Sequence, residues 1–167
     1  MSAILSPCGR YRYSLEREVS ILGTNRVLFV MLNPSTADAT EDDPTIRKCV
    51  GFASRHWNAR RIEVVNLYAW RATDPNDLRR AADAHDVVGP DNNMHIEIAA
   101  KRASYIVAAW GALNLGAMSG PARERTRDVA RLLRDRPLVC LGTTNDGNPR
   151  HPLMVAYATA PAEWSAL

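Results

Sequence analysis

RVLFVMLNP, residues 26–34, is a dense run of β-branched and other apolar residues stopped by Asn-Pro. A strand covered on both faces shows no polar alternation, and proline ends it by removing a backbone donor, so the segment reads as a fully buried strand. Such a strand needs cover above and below, which makes its neighbours decisive. RIEVVNLYAW (61–70), YIVAAWG (105–111) and PLVCLG (137–142) read as further strands of the same kind. Helical segments lie between them. Asp43 is a good N-cap and Pro44 a good first helical residue, with Ile46, Val50 and Ala53 or Ser54 on one face at helical spacing. A short helix is expected near Asn76 to Ala84, and Asp91 is placed to cap a helix through NNMHIEIAAKRA. PARERTRDVARLLRDR is a helix opened by Pro121. The order β-α-β-α-β-α-β predicts an α/β fold, a three-layer α/β/α sandwich around a central four-stranded parallel sheet. Residues 1–25 fit less well; YRYSLEREVSIL alternates weakly and could add a hairpin at an edge.

The bulk numbers set limits. A chain of 167 residues suggests one domain, and 46% hydrophobic with 23% charged residues is ordinary for a globular protein. The formal net charge of +3 permits nucleic-acid binding without requiring it. Cys8, Cys49 and Cys140 are odd in number and widely spaced with no CxxC, which argues against a disulfide scaffold or a zinc site and suits a reducing cytoplasm. No apolar run is long enough to cross a bilayer. The expectation is a cytoplasmic monomer with no metal, no other cofactor and no membrane partner.

In an open α/β sheet, ligands bind outside the carboxyl ends of the strands. Here those ends read LNPSTAD, NLYAW, AWGALN and GTTNDGNPRHPL. They supply amides, hydroxyls, an imidazole and aromatic rings, but no phosphate cradle: neither GxGxxG nor GxxxxGK[ST] follows the first strand. Asparagine can make two opposed hydrogen bonds to a base edge, and aromatic rings stack on a base face. Each residue also has a structural use. Asn33-Pro34-Ser35 can be a turn and helix cap, Asn66 can tie down a loop, His151 can be a bonded histidine before a tight turn, and Trp70 and Trp110 can be core. The functional case rests on all four ends together.

In their order, Asn33-Pro34, VVNL with Asn66, AAWG with Trp110-Gly111, and RHPLM with His151 resemble the uracil-DNA glycosylase superfamily over about Arg26 to Tyr157. The segments LNPSTAD, DDPT, VVNLYAWRATDP and GNPRHPL bear a more specific resemblance to the family called domain of unknown function 1643, which implies no activity. The glycosylase resemblance implies a fold of that type and excision of a uracil-like or modified pyrimidine from DNA. It implies that Asn33 holds a water, Asn66 reads the Watson–Crick edge of a flipped base, and His151 donates to a base oxygen. Tyr68 or Trp70 would stack on the base. Ser35, standing where a bulky Tyr excludes thymine in the uracil-specific type, leaves room for a group on the base. Leu153 or Met154 would be the wedge, and Arg150 and Arg71 would meet nucleic acid.

The departures from that pattern matter. Asn33 stands where the most active glycosylases have Asp, and an amide cannot act as a general base. Asp38, Asp42 or Asp43 could supply one, against the simpler use of Asp43 as a helix cap. The wedge loop HPLM lacks the second Ser-Pro. Arg123, Arg127, Arg131 and Arg134 share a helix face diluted by Glu124, Asp128 and Asp135, and that face is expected to be solvated; Arg55, Arg60, Arg71 and Arg150 are expected nearer the mouth. Three readings stay open: a DNA glycosylase, a non-catalytic module for a nucleotide or modified base (in DNA, RNA or free), and a hydrolase of free nucleosides or nucleotides.

Overall fold

The computed structural model describes residues 2–35 and 42–165. The fold is α/β, built on one mixed sheet of seven strands. The strands are β1 (Ser2–Leu5), β2 (Arg12–Glu18), β3 (Asn25–Met31), β4 (Ala59–Asn66), β5 (Tyr105–Ala108), β6 (Leu138–Cys140) and β7 (Ala162–Trp164). Their spatial order is β1-β2-β4-β3-β5-β6-β7. The four strands expected from the sequence are its parallel centre: β3 pairs parallel with β4 and β5, and β5 with β6. The expected four-stranded sheet is thus widened by three antiparallel strands. β1 and β2 form the N-terminal hairpin, with β2 docked antiparallel on β4, while β7 closes the other edge antiparallel to β6.

The helices are α1 (Pro44–Trp57), α2 (Pro75–Ala82), α3 (Asn92–Arg102) and α4 (Ser119–Leu132). The period-two geometry of β3 sorts its side chains into two cores. Val27, Phe29 and Met31 pack with Ile46, Cys49, Phe52 and Ala53 of α1. Leu28 and Val30 pack with Leu78 of α2, Ile96 and Ala99 of α3, and Ala122 and Val129 of α4. Val27, Leu28, Phe29 and Val30 are all essentially inaccessible, each worth about 1.5–3 kcal/mol relative to an exposed side chain.

Helix α1 begins as its sequence implies. Asp43 Oδ1 accepts from the Ile46 amide at 2.8 Å, and Pro44 opens the first turn. Helix α3 differs: Asp91 makes no side-chain cap, and its backbone carbonyl accepts from His95 N instead.

Chain direction places the cleft. From β3 the chain crosses to β4 on one side and later returns to β5 on the other. The connections leaving β3, β4 and β5 therefore part at the carboxyl edge, which is where an open α/β sheet leaves a crevice.

Candidate functional site

A cleft of about 410 Å³ opens at that edge, and Asn33, Ser35, Asn66 and His151 all line it. Asn33 follows β3. Its Nδ2 donates to the carbonyls of Ala72 at 2.7 Å and Pro34 at 3.2 Å, while Ala72 N donates back to Pro34 O at 2.9 Å. The loops after β3 and β4 are thereby knitted together. Both amide hydrogens of Asn33 are used, and Oδ1 is the atom left to accept from a ligand or water.

Asn66 ends β4 and is 1% exposed. Its Nδ2 is buried without a protein hydrogen-bond partner, which is costly unless a ligand or water supplies an acceptor. The backbone beneath it is tightly held. Asn92 Nδ2 donates to the carbonyls of Asn66 at 3.0 Å and Leu67 at 3.1 Å, and Arg125 Nε donates to Leu67 O at 2.7 Å. Neighbouring side chains thus clamp the strand end and leave the Asn66 amide itself unfixed.

Gly111 and His151 meet across the cleft. Gly111 has φ +82°, a conformation favouring glycine, and donates its N–H to Pro149 O at 2.9 Å. A Cβ there would lie 3.1 Å from His151 Cβ. The glycine of the AWG segment thus lets the His-Pro loop approach the end of β5. The Leu153 amide donates to His151 Nδ1 at 3.3 Å, so a neutral ring carries its hydrogen on Nε2. Burial lowers the His151 pKa, opposed by the Asp43 carboxylate. The neutral ring is therefore the form at pH 7.

The cleft also holds two charged residues, Arg12 and Asp43. Because β2 runs antiparallel to β4, the start of β2 lies beside the end of β4, and Arg12 N donates to Ala69 O at 2.9 Å. Arg12 is 3% exposed. Burial lowers its pKa to about 10, with Asp43 opposing and Arg71 and Arg17 adding to the shift, so it remains a cation near neutral pH. Asp43 does two jobs: Oδ1 caps α1 and Oδ2 accepts from Ser35 Oγ at 2.7 Å. Asp42 pairs with Arg17 and does not line the cleft. Asp38 lies outside the described residues.

Other residues named from the sequence sit elsewhere. Tyr68 is buried on the far side of the β4 connection, in a cavity with Arg125. Trp70 stacks on His85 at 5.0 Å and meets Tyr11 edge-on at 5.6 Å. The aromatic residue lining the cleft is Trp110, whose ring packs edge-on against Trp164 at 4.9 Å. Arg71 Nη1 donates to Gly9 O at 3.2 Å. Arg55 lies over the Tyr157 ring at 4.1 Å, and Arg60 Nη1 donates to Ile21 O, so neither lines the cleft. Arg150, Leu153 and Met154 are exposed on the loop that carries His151, with Arg150 Nε donating to Thr143 O at 3.0 Å. Arg12 is the charged cleft residue that sequence reasoning missed, together with the polar Thr45, Thr73 and Asn114, while Trp110, read from the sequence as core or as part of the Trp-Gly motif, lines the cleft. The hairpin that brings Arg12 was recognisable, but its register against β4 was not.

Among the described residues, no group of three or more His, Cys, Asp or Glu side chains could hold a metal ion. No helix among them is long and apolar enough to cross a membrane. No curated protein and no solved structure matches the chain. The family model for a protein of unknown function, DUF1643, matches residues 12–153, from the buried Arg12 through the His-Pro loop, and the chain belongs to that family.

Proposed function

We propose that the cleft receives a pyrimidine-type base turned out of a DNA strand and that the chain hydrolyses its N-glycosidic bond, as the resemblance to the uracil-DNA glycosylase superfamily implies. The observation that carries the reading is the convergence of Asn33, Asn66 and His151 on one cleft. The unpartnered Asn66 Nδ2 suits a base carbonyl such as O4, and Oδ1 suits the N3–H beside it. A neutral His151 presents Nε2–H to a second base oxygen, where negative charge grows as the bond breaks; one such donor is worth about 2.7–4 kcal/mol. Asn33 Oδ1 positions a water that bonds to the anomeric carbon as the base departs, its proton passing to the departing base anion, while the Asp43 carboxylate stabilises the positive charge that develops on the sugar. Ser35, held on Asp43, leaves space beside the base. The exposed Leu153 and Met154 are suited to fill the gap left in the stack. In this reading the four parallel strands and their two cores correspond to the three-layer fold of that superfamily.

One observation favours a non-catalytic base-binding module as the second reading: Asn33 is an amide with its nitrogen tied to backbone carbonyls, and no carboxylate replaces it at that position. An abasic-site assay separates the two. Oligonucleotides carry uracil, a thymine mismatch or a modified pyrimidine, and strand cleavage is scored after alkali. Glycosylase action predicts cleavage of at least one target, reduced 10²–10³-fold by His151→Ala. Saturable binding of a target base with no cleavage of any selects the binding module.

A further inference from the structure

A second cavity, of about 500 Å³, lies between α2, the segment around His85–Val88 and the start of α4, and it shares no lining residue with the cleft. Tyr68 and Arg125 line it, 3% and 7% exposed. Tyr68 Oη and Arg125 Nη2 are both buried with no hydrogen-bond partner. Arg125 is not a loose side chain, because its Nε holds the Leu67 carbonyl at 2.7 Å. Two buried polar groups left without a partner beside one cavity cost stability. Both can donate to an oxygen, and the guanidinium is cationic. The other charged residues of the lining are mostly acidic, Asp83, Asp86, Glu124 and Asp128 against Arg79, with Asp86 Oδ1 accepting from the Val88 and Gly89 amides and Asp128 Oδ1 paired with Arg131. Val87 and Met118 add apolar surface.

We propose that this cavity is a second ligand site and that it takes a small zwitterion with the chemistry of a free α-amino acid. The carboxylate bonds to Arg125 Nη2 and Tyr68 Oη. The ammonium faces the carboxylates of Asp86, Glu124 and Asp128, and the side chain lies against Val87 and Met118. A simple anion would meet the acidic lining, and a simple amine would leave both donors unpaired.

The test is calorimetric titration of the full chain with each of the twenty L-α-amino acids, alongside their decarboxylated amines and N-acetylated forms. At least one amino acid should bind saturably, and its amine and N-acetyl forms at least tenfold more weakly. Tyr68→Phe removes only the hydroxyl. Since Oη has no partner in the free protein, the variant should match or exceed the wild-type melting temperature while binding the amino acid about tenfold more weakly. The proposal is overturned if no amino acid binds, or if the amine or N-acetyl form binds equally well. It is also overturned if Tyr68→Phe leaves affinity unchanged. A ligand-free Tyr68→Phe that melts several degrees lower would assign the hydroxyl to a buried water and reject the site.

Discussion

Removing the Asn92 amide should loosen the end of β4 more than any surface change could. Asn92 is fully buried, and its Nδ2 donates to the carbonyls of both Asn66 and Leu67. Asn92→Ala deletes two hydrogen bonds of about 1 kcal/mol each and leaves a buried carbonyl short of a donor, while Leu67 O keeps Arg125 Nε. The expected loss is about 2–4 kcal/mol. For a domain of this size, each kcal/mol lowers the melting temperature by about 2–4 °C, so the shift is about 4–16 °C. Asn92→Asp is nearly isosteric and separates chemistry from volume. At neutral pH it sets a buried carboxylate against two carbonyl oxygens and should cost more than Asn92→Ala. Acid should restore part of that loss, because a protonated carboxyl can donate to one carbonyl. Urea unfolding at neutral and mildly acid pH measures all three proteins. An Asn92→Asp protein as stable as wild type at neutral pH would refute the clamp.

Three further outcomes follow from the same geometry. His151 should titrate below the ordinary imidazole value of about 6.5 because burial disfavours its charged form, as NMR of the ring would show. The unfolded chain then binds that proton more readily, so the stability His151 contributes is present above the ordinary value and is lost as pH falls from there through the lower folded value; His151→Gln should flatten that part of the curve. Gly111→Ala forces alanine into a conformation with φ +82° and places a methyl 3.1 Å from His151 Cβ, so a loss of about 1–2 kcal/mol in urea unfolding and a shifted His151 resonance are expected. If the ligand is duplex DNA, Arg150→Ala should make the salt dependence of binding shallower by about 0.9 in the log–log slope, with base preference unchanged.

The legible parts of the fold were those with strong local signals. The centre of the sheet was readable because a strand buried on both faces has no polar positions to confuse it with an amphipathic helix. The edges carry weaker signals: β7 is three residues long, and β1 is largely exposed with little apolar patterning. The positions of Asn33 and Asn66 followed from the rule that strand ends converge, whereas His151 lies far beyond β6 and reaches the same edge because its loop folds back onto Gly111. That rule extends only one or two residues past a strand. Tyr68, two residues beyond Asn66, still donates its amide to Leu32 O but its side chain enters the other cavity, and at Trp70, two residues further, the chain has turned to pair with Val87 and Val88, so its ring stacks on His85. Arg12 depended on the antiparallel register of β2 against β4, which no local pattern in YRYSLEREVSIL specifies. Asn92 is spent on the backbone carbonyls, and the Asn66 amide is left to be oriented by its ligand.

If Asn66 reads a pyrimidine edge, as proposed above, binding to paired oligonucleotides that differ only in uracil or cytosine at the target position shows it. The target nucleotide is made non-cleavable by a fluorine on the sugar. The wild-type protein should prefer uracil, because Nδ2 lacks an acceptor that O4 supplies. The preference should fall short of the 10⁴–10⁵ of a locked site, since an unfixed amide can turn to suit cytosine. Asn66→Ala should abolish the preference. Asn66→Asp should reverse it, because a carboxylate accepts from the cytosine amino group and has nothing to offer O4. Retention of the wild-type preference by both variants would show that Asn66 does not read the base and leave it a structural residue.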